Sequence, residues 1–383
     1  GVYICDECVH LCNEIIAGEQ SARESALSAQ PQWQATITKQ GATTRTTASI
    51  QSSDQQIGSV KPRRHIIDLV DWAPTELRAL LDRATVMRAA LANPMTRFDT
   101  LRGRVMVNLF YENSTRTRVS FELAGKRMGA DVVNVTTSAS SVTKGESLRD
   151  TVATLQALGA SVIVVRSSQA GAPDLIARSI NGATLNAGDG WRGHPTQALL
   201  DLFTMERHIG SVASKRIVIL GDILHSRVAR SNIWSLTTMG AEVMLCAPPT
   251  LLPYDAVTLY AARPVSETGA SRRVTIEPRI ERALQGADVV MALRLQRERQ
   301  QAGLLPSLRE YTARYGLTPE RLALARPGAL VMHPGPMNEG VEIDPAVAHG
   351  AASAIEEQVT NGVAIRMAAL ELIAGALDRR EER

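Results

Sequence analysis

Residues 105–128 constrain the fold most. They contain a short apolar run, then a turn rich in hydroxyl groups and arginines, and then a helical pattern. Residues 105–110 have the length and composition of a buried strand. Ser-Thr-Arg-Thr-Arg follows at 114–118, and apolar residues then recur at helical spacing over 119–128. The first N–H groups of a helix lack intrahelical partners and lie at the positive end of its dipole, so this turn is a candidate anion site. The paired donors of guanidinium favour phosphate, although an ordinary serine cap beside surface arginines remains an alternative.

The alternation of strand-like runs with helical patterns continues along the chain. Strands are predicted at 105–110, 132–135, 161–165 and 183–187 and, after a fresh start, at 216–220, 242–246, 288–293 and 329–332. Helices are predicted at 71–91, 119–128, 147–158 and 354–377. Strands that alternate with helices favour parallel sheets. We therefore predict an α/β protein with two doubly wound parallel-sheet domains, for which 383 residues are sufficient.

Composition and missing motifs exclude several classes of protein. A formal net charge of +3 is too small to indicate nucleic-acid binding, and no uninterrupted apolar run reaches the roughly 18 residues of a membrane span. The sequence has no Gly-x-Gly-x-x-Gly loop, P-loop or Gly-x-Ser-x-Gly elbow, and no metal-spaced His and carboxylate cluster after residue 60. These absences argue against a dehydrogenase, kinase, esterase or metallohydrolase, and we expect neither cofactor nor metal. The cysteine pattern indicates no disulfide framework and fits a reducing cytoplasm.

Residues 1–62 differ from the rest of the chain. Residues 1–16 resemble the second half of the zinc-binding domain that precedes ClpX-type unfoldases. A closed zinc site normally needs two cysteine pairs, and here only Cys5 and Cys8 form a C-x2-C pair. Residues 20–60 are rich in Ser, Thr, Gln and Ala, a composition typical of disordered linkers. We expect 1–62 to be a truncated leader and linker without a working zinc site.

Polar segments follow the predicted strands at the places where a parallel sheet binds ligands. These segments are 114–118, 137–147, 166, 188–197, 221–227, 294–296 and 333–337. His194 and Gln197 are three residues apart at a helix start and share one face. They could hold a carbonyl oxygen and an NH2 group, although His194 beside a proline could also be a simple helix cap.

Two further arginines are candidates for a second ligand. Arg294 and Gln296 project to the same side of an extended segment. Together with Arg227 they suit a small dicarboxylate, because each guanidinium can grip one carboxylate. Surface charge is the alternative for Arg294. Residues 333–338 form a proline-rich turn with exposed carbonyl groups, which can accept hydrogen bonds from NH2.

Taken together, these segments resemble the aspartate/ornithine carbamoyltransferase family over about residues 64–380. Ser-Thr-Arg-Thr-Arg after a strand is similar to its carbamoyl-phosphate motif, and residues 186–201 closely resemble its signature. The runs 221–231 and 333–338 resemble the aspartate branch. The resemblance implies a carbamoyl-phosphate domain at 63–210, completed by the returning helix 354–380, and an aspartate domain at 211–353.

The resemblance also implies a reaction and the residues that perform it. Carbamoyl phosphate would donate its carbamoyl group to L-aspartate in pyrimidine synthesis. The phosphate would be held by Ser114, Thr115, Arg116 and Thr117. The carbonyl oxygen would be bound by Thr117, Arg166 and His194. The carbamoyl NH2 would be oriented by Gln197 and the carbonyls of Pro334 and Gly335. The aspartate would be held by Arg227, Arg294 and Gln296.

The family pattern further implies an oligomer with shared sites. Ser140 and Lys144 would reach the active site of a neighbouring subunit in a cytoplasmic homotrimer, although a solvated loop lysine is the alternative from the residues alone. A regulatory chain or a dihydroorotase is a possible partner. Glu339 stands where the family usually has arginine, and Leu224 replaces a commonly basic residue. Two alternative functions are a carbamoyltransferase that acts on another amine and a non-catalytic anion-binding scaffold.

Overall fold

The computed structural model describes residues 63–136, 147–296 and 304–381. Within these ranges ten strands form two parallel sheets of five, in the orders β1-β5-β4-β2-β3 and β10-β9-β6-β7-β8. The strands are β1 His65–Ile66, β2 Val105–Phe110, β3 Asp131–Thr136, β4 Ala160–Ser167, β5 Ala183–Asp189, β6 Arg216–Leu220, β7 Glu242–Cys246, β8 Arg273–Ile276, β9 Val289–Ala292 and β10 Leu330–Met332. The predicted fold class is confirmed. The predicted leader 1–62, with its zinc-domain resemblance, lies outside the described residues, as do Ser140 and Lys144.

Helices flank both sheets. They are α1 Pro74–Ala90, α2 Thr115–Arg127, α3 Leu148–Ala157, α4 Ala172–Ser179, α5 Pro195–Ile209, α6 Arg227–Thr238, α7 Tyr254–Ala261, α8 Ile280–Leu284, α9 Leu308–Tyr315, α10 Pro319–Leu322, α11 Pro345–Ala348 and α12 Ile355–Glu381. We call the first sheet with α1–α5 and α12 lobe 1, and the second sheet with α6–α11 lobe 2. The domain boundaries given above stay predictions.

The last helix, α12, packs against α1, α2 and α5 of lobe 1. Its inner face buries Ile365, Leu370 and Ile373, and Glu371 pairs with Arg83 of α1 at 2.6 Å. The segment Ile355–Arg379 has the length and hydropathy of a membrane span, but 61% of that window is buried inside the protein. That burial is typical of a core helix.

Each sheet has one point at which the winding of the chain reverses. In the first sheet β2 lies between β3 and β4, and in the second β6 lies between β7 and β9. Phe110 at the end of β2 pairs with Arg166, and Leu220 at the end of β6 pairs with Ala292. Ligands of open parallel sheets bind beyond the carboxyl ends of the strands at such reversal points. The segments after β2, β4, β6 and β9 are therefore placed to form a site.

The predicted strands agree with the structure to within two residues at each end. The sequence prediction lacks two strands, β1 and β8. Strand β1 has only two residues, and Val274 is the buried residue of the four in β8, so no apolar run marks either strand. Helix α2 begins earlier than the predicted start at 119. The cause is Ser114, whose side-chain oxygen accepts a hydrogen bond from the Thr117 backbone N–H at 3.4 Å and caps the helix.

Candidate active site

A cavity of about 720 Å³ lies at the carboxyl ends of the strands, between the two lobes. Every predicted site residue that the structure describes lines it. These residues are Ser114, Thr115, Arg116, Thr117, Arg166, His194, Gln197, Arg227, Arg294, Gln296, Pro334 and Gly335. The cavity is also lined by Glu112, Asn113, Ser168, Ser226, Val228, Leu293 and Pro336, none of which is a predicted site residue, although Ser226 and Pro336 lie in the predicted polar segments 221–227 and 333–337. Residues far apart in the chain are thus brought to one place by the two reversal points.

The first turn of α2 forms one end of the cavity. Its backbone N–H groups and the hydroxyl groups of Thr115 and Thr117 belong to a helix N-terminus, which favours an anion. Arg116 donates from Nη2 to the Pro334 carbonyl at 2.6 Å. Gly335 has a φ of +57°, and a Cβ added there would lie 2.1 Å from Arg116 Nη1. The absence of a side chain at Gly335 therefore leaves the space that the Arg116 guanidinium occupies.

Glu112 joins arginines of the two lobes. Its Oε1 accepts from Arg166 Nη2 at 2.6 Å, and its Oε2 accepts from Arg227 Nη1 at 3.0 Å. Arg166 also donates to the Ala187 carbonyl at 3.1 Å, and Arg227 to the Gly190 carbonyl at 3.3 Å. The only sequence signal for Glu112 is an acidic residue directly before an arginine-rich turn. One carboxylate is therefore the shared counter-charge of two predicted site arginines.

His194 is buried and uncharged. Its backbone N–H donates to Ser231 Oγ at 2.8 Å, which ties the start of α5 to α6. Burial lowers the pKa of His194 well below its usual value, and the positive charges of Arg166 and Arg227 lower it further. No hydrogen-bond partner of its Nδ1 is found among the described residues. The ring is therefore a neutral imidazole, which can donate one hydrogen bond without taking up a proton.

A buried carboxylate positions the segment that carries Arg294 and Gln296. Asp222 Oδ2 accepts from the Gln296 backbone N–H at 3.3 Å. Asp222 Oδ1 lies 2.8 Å from His225 Nδ1 and accepts from the His225 backbone N–H at 3.3 Å. Asp222 is fully buried, so these contacts fix the turn after β6 against the segment after β9. Arg227 and Arg294 consequently face one cavity from different elements.

The two departures from the family pattern lie away from the cavity lining. Glu339 pairs with His349 Nε2 at 3.3 Å, and both side chains are exposed. The Leu224 backbone N–H donates to the Leu251 carbonyl at 3.0 Å. Neither residue lines the cavity.

Family models match both halves of the chain. "Aspartate/ornithine carbamoyltransferase, carbamoyl-P binding domain" matches residues 64–207, and "Aspartate/ornithine carbamoyltransferase, Asp/Orn binding domain" matches residues 213–373. The chain belongs to the aspartate/ornithine carbamoyltransferase family.

Individual relatives of this carbamoyltransferase chain agree with the family models. It is 56% identical over 313 residues to the aspartate carbamoyltransferase catalytic subunit of Chloroflexus aggregans, which covers 82% of this chain and 99% of the relative. The catalytic subunit of Moorella thermoacetica is 53% identical over 313 residues, covering 82% of this chain and 98% of the relative. Both are similar over nearly their whole lengths.

Solved structures of the family are similar as well. Aspartate transcarbamoylase of Trypanosoma cruzi in complex with N-(phosphonacetyl)-L-aspartic acid is 31% identical, with a TM-score of 0.73 and coverage of 82% of this chain and 96% of that one. Ornithine carbamoyltransferase of Pyrococcus furiosus has a TM-score of 0.73 at 23% identity, with coverage of 82% and 97%. The latter likeness shows the shared fold alone.

Proposed function

We propose that this chain is the catalytic chain of an aspartate carbamoyltransferase. It converts carbamoyl phosphate and L-aspartate into N-carbamoyl-L-aspartate and phosphate, a step of pyrimidine synthesis. The observation that carries the proposal is a single cavity with an anion-binding helix end on one side and Arg227 and Arg294 on the other. The high identity to catalytic subunits of this name over 313 residues supports it.

The donor end of the cavity holds the carbamoyl phosphate. The α2 N–H groups and Arg116 bind the phosphate oxygens through charge-assisted hydrogen bonds. Thr117, Arg166 and neutral His194 donate to the carbonyl oxygen and stabilise the negative charge that grows on it as the tetrahedral state forms. The backbone carbonyl of Pro334, which already accepts from Arg116, has a second lone pair for the carbamoyl NH2.

The acceptor end holds aspartate so that its amine faces the carbonyl carbon. Arg227, Arg294 and Gln296 bind the two carboxylates. The amine nitrogen forms a bond to the carbonyl carbon, the bond from that carbon to the phosphate oxygen breaks, and phosphate leaves with its electron pair. The amine proton can pass to the departing phosphate. Much of the rate gain is orientation of the two substrates in one cavity.

A colorimetric assay for the ureido group, which carbamoyl aspartate and carbamoyl-ornithine both contain, tests this function directly. Purified chain should form the product from carbamoyl phosphate with L-aspartate and form little product with L-ornithine. Two guanidinium groups would repel the ammonium side chain of ornithine. A preference for ornithine would indicate that the chain belongs to another branch of the family. Absence of product with either amine would indicate a non-catalytic anion-binding protein.

Glu112, which accepts hydrogen bonds from both Arg166 and Arg227, leads to a prediction for catalysis. Glu112→Gln keeps the shape of the side chain but removes the counter-charge of Arg166 and Arg227, so the two guanidinium groups should be held less firmly in the cavity. We expect kcat to fall about tenfold, the effect of losing one hydrogen bond to a charged group. Steady-state kinetics measure the change. Glu310→Gln on α9, which lies outside the cavity and pairs with Arg314 at 3.2 Å, is the matched control and should have wild-type kinetics.

We also propose a cytoplasmic homotrimer in which Ser140 and Lys144 complete the site of a neighbouring subunit. Exposed apolar side chains support an oligomer: Val119 and Leu123 on α2 are 42% and 48% exposed, and Val133 on the edge strand β3 is 47% exposed. Val119 and Leu123 are four residues apart and so share one face of α2, and contiguous exposed apolar residues are typical of protein interfaces. A regulatory chain or a dihydroorotase is a further proposed partner. Residues 1–62 have no part in the proposed catalysis.

Mixed oligomers test the shared site. Lys144→Ala chains and Arg116→Ala chains should each be nearly inactive, since each lacks one half of every site. Mixing them under conditions of subunit exchange should restore part of the activity, because some sites in a hybrid then contain both intact halves. Absence of recovery after exchange has been verified by native mass spectrometry would contradict a shared site.

A further inference from the structure

Asp201 on α5 is a buried carboxylate directly behind the cavity, where it accepts hydrogen bonds from three side chains. The proposed mechanism gives it no role. Its Oδ1 accepts from Gln197 Nε2 at 2.9 Å and from Gln358 Nε2 at 2.7 Å. Its Oδ2 accepts from Asn232 Nδ2 at 2.8 Å. Asp201 has no solvent exposure. These three donors are neutral side-chain amides, and they come from α5, α12 and α6.

An ionised carboxylate accepts hydrogen bonds and donates none, so it dictates the orientation of each amide around it. Burial raises the pKa of Asp201 to about 6, against the opposing effect of the amide hydrogen bonds, so the group is charged at neutral pH. Each amide must then turn its NH2 toward Asp201 and its oxygen away. Gln358 follows this rule, because its Oε1 accepts from the His333 backbone N–H at 3.1 Å.

The same orientation of the amide, with NH2 toward Asp201, determines which Gln197 atom faces the cavity. Gln197 lines the cavity, and its Nε2 is held by Asp201. The two polar atoms of an amide point in different directions from its carbon. The Gln197 oxygen is therefore turned away from Asp201 and is the group that remains to meet a ligand.

We propose that Asp201 is a positioning residue for donor specificity, which fixes the Gln197 amide so that its oxygen, and not its NH2, faces the carbamoyl group. Through Gln358 and His333 the same carboxylate also holds the turn that carries the Pro334 and Gly335 carbonyls. The pocket for the carbamoyl nitrogen is thereby made of acceptors. It selects an acyl phosphate with an NH2 group over one of similar size whose group cannot donate.

This role rests on the proposed function, and wild-type protein tests both separately. Acetyl phosphate carries CH3 where carbamoyl phosphate carries NH2, and it would leave the Gln197 oxygen buried without a donor. We expect acetyl phosphate to bind at least about tenfold more weakly than carbamoyl phosphate in competition assays. Equal affinities in a chain that does form carbamoyl aspartate would overturn the role of Asp201 and leave the function standing. Failure to form carbamoyl aspartate would overturn the function itself.

Variants then locate the cause of the selectivity. Asp201→Asn is nearly isosteric but replaces one acceptor oxygen by NH2, so three amide donors compete for one oxygen and the Gln197 amide can turn over. We expect discrimination against acetyl phosphate to fall to within about threefold, mainly through weaker binding of carbamoyl phosphate. Asp201→Ser is a second variant that removes the carboxylate and leaves room for water. Thermal melting checks that each variant is folded.

Asn232→Ser is the matched control. It removes the donor to Oδ2 and leaves the Gln197 bond to Oδ1, so it should lower stability without changing the preference for carbamoyl phosphate. A folded 201 variant with wild-type discrimination would overturn the proposal, and so would an equal loss in the Asn232→Ser control. If neither 201 variant folds, equal affinity of the wild-type protein for the two acyl phosphates would still overturn the proposal.

Discussion

Replacing Arg116 with alanine should lower kcat by about 100-fold or more, the effect of removing one preorganised donor from the charge that develops in a transition state. Arg116 lies at the start of α2, lines the cavity and also donates to the Pro334 carbonyl at 2.6 Å. Its removal takes away a phosphate ligand and loosens the turn that orients the carbamoyl group. Steady-state kinetics with carbamoyl-aspartate detection measure the loss.

Two further variants separate the charge of Arg116 from its position. Arg116→Lys keeps a positive charge but loses the paired donors, so it should recover a small part of the activity. Gly335→Ala keeps the guanidinium but pushes it aside, because the added Cβ would lie 2.1 Å from Nη1. It should also lower kcat while the protein stays folded, since the far end of a flexible side chain can move. Less than a tenfold loss in Arg116→Ala would contradict the phosphate role.

The sequence predicts those parts of the fold and of the site that depend on patterns among neighbouring residues. The succession of β2, the Ser114 cap and α2 lies within residues 105–127, and each piece has its own local signal in composition or periodicity. His194 and Gln197 are likewise one helical turn apart. The rule that ligands lie at the carboxyl ends of parallel strands then brings these segments together without knowledge of their contacts.

Contacts between distant residues could not be predicted in this way. Glu112 contacts Arg166 and Arg227, which are 54 and 115 positions away in the chain. Asp201 contacts Gln358, 157 positions away. Asp201 ends the signature-like run 186–201 and Glu112 directly precedes the arginine-rich turn, but neither position indicates the partner, because the partners are set by how distant elements pack. Strand β8 escapes prediction for a different reason, namely that its short, mostly exposed sequence contains one buried residue.

Arg227→Ala should raise the KM for aspartate by about 30-fold or more, the cost of truncating one partner of a desolvated charge pair. Arg227 is 4% exposed and is held at the start of α6 by the Ser226 cap. Its hydrogen bonds to Glu112 and to the Gly190 carbonyl use three of its five N–H groups. The other two N–H groups have no hydrogen-bond partner among the described residues, and two donors suffice to grip one carboxylate in a fork.

The control and the readout distinguish a lost ligand from a damaged lobe. Arg230→Ala lies on the same helix, where Arg230 donates to the Leu224 carbonyl at 3.3 Å and does not line the cavity, so the aspartate KM should stay near wild type. Calorimetry should show carbamoyl phosphate affinity within about threefold of wild type in both variants. A large loss of carbamoyl phosphate binding in Arg227→Ala would contradict separate donor and acceptor ends.

Glu112 explains how Arg227→Ala could have a small effect on the affinity for carbamoyl phosphate. Without Arg227, the Glu112 carboxylate neutralises Arg166 alone and so weakens the donor to the carbonyl oxygen. That indirect effect requires the negative charge, and it should vanish when Arg227→Ala is made in a Glu112→Gln background. The increase in aspartate KM should persist there, because it comes from the missing guanidinium itself. A double-mutant cycle thus separates direct recognition of aspartate from the electrostatic link between the two lobes.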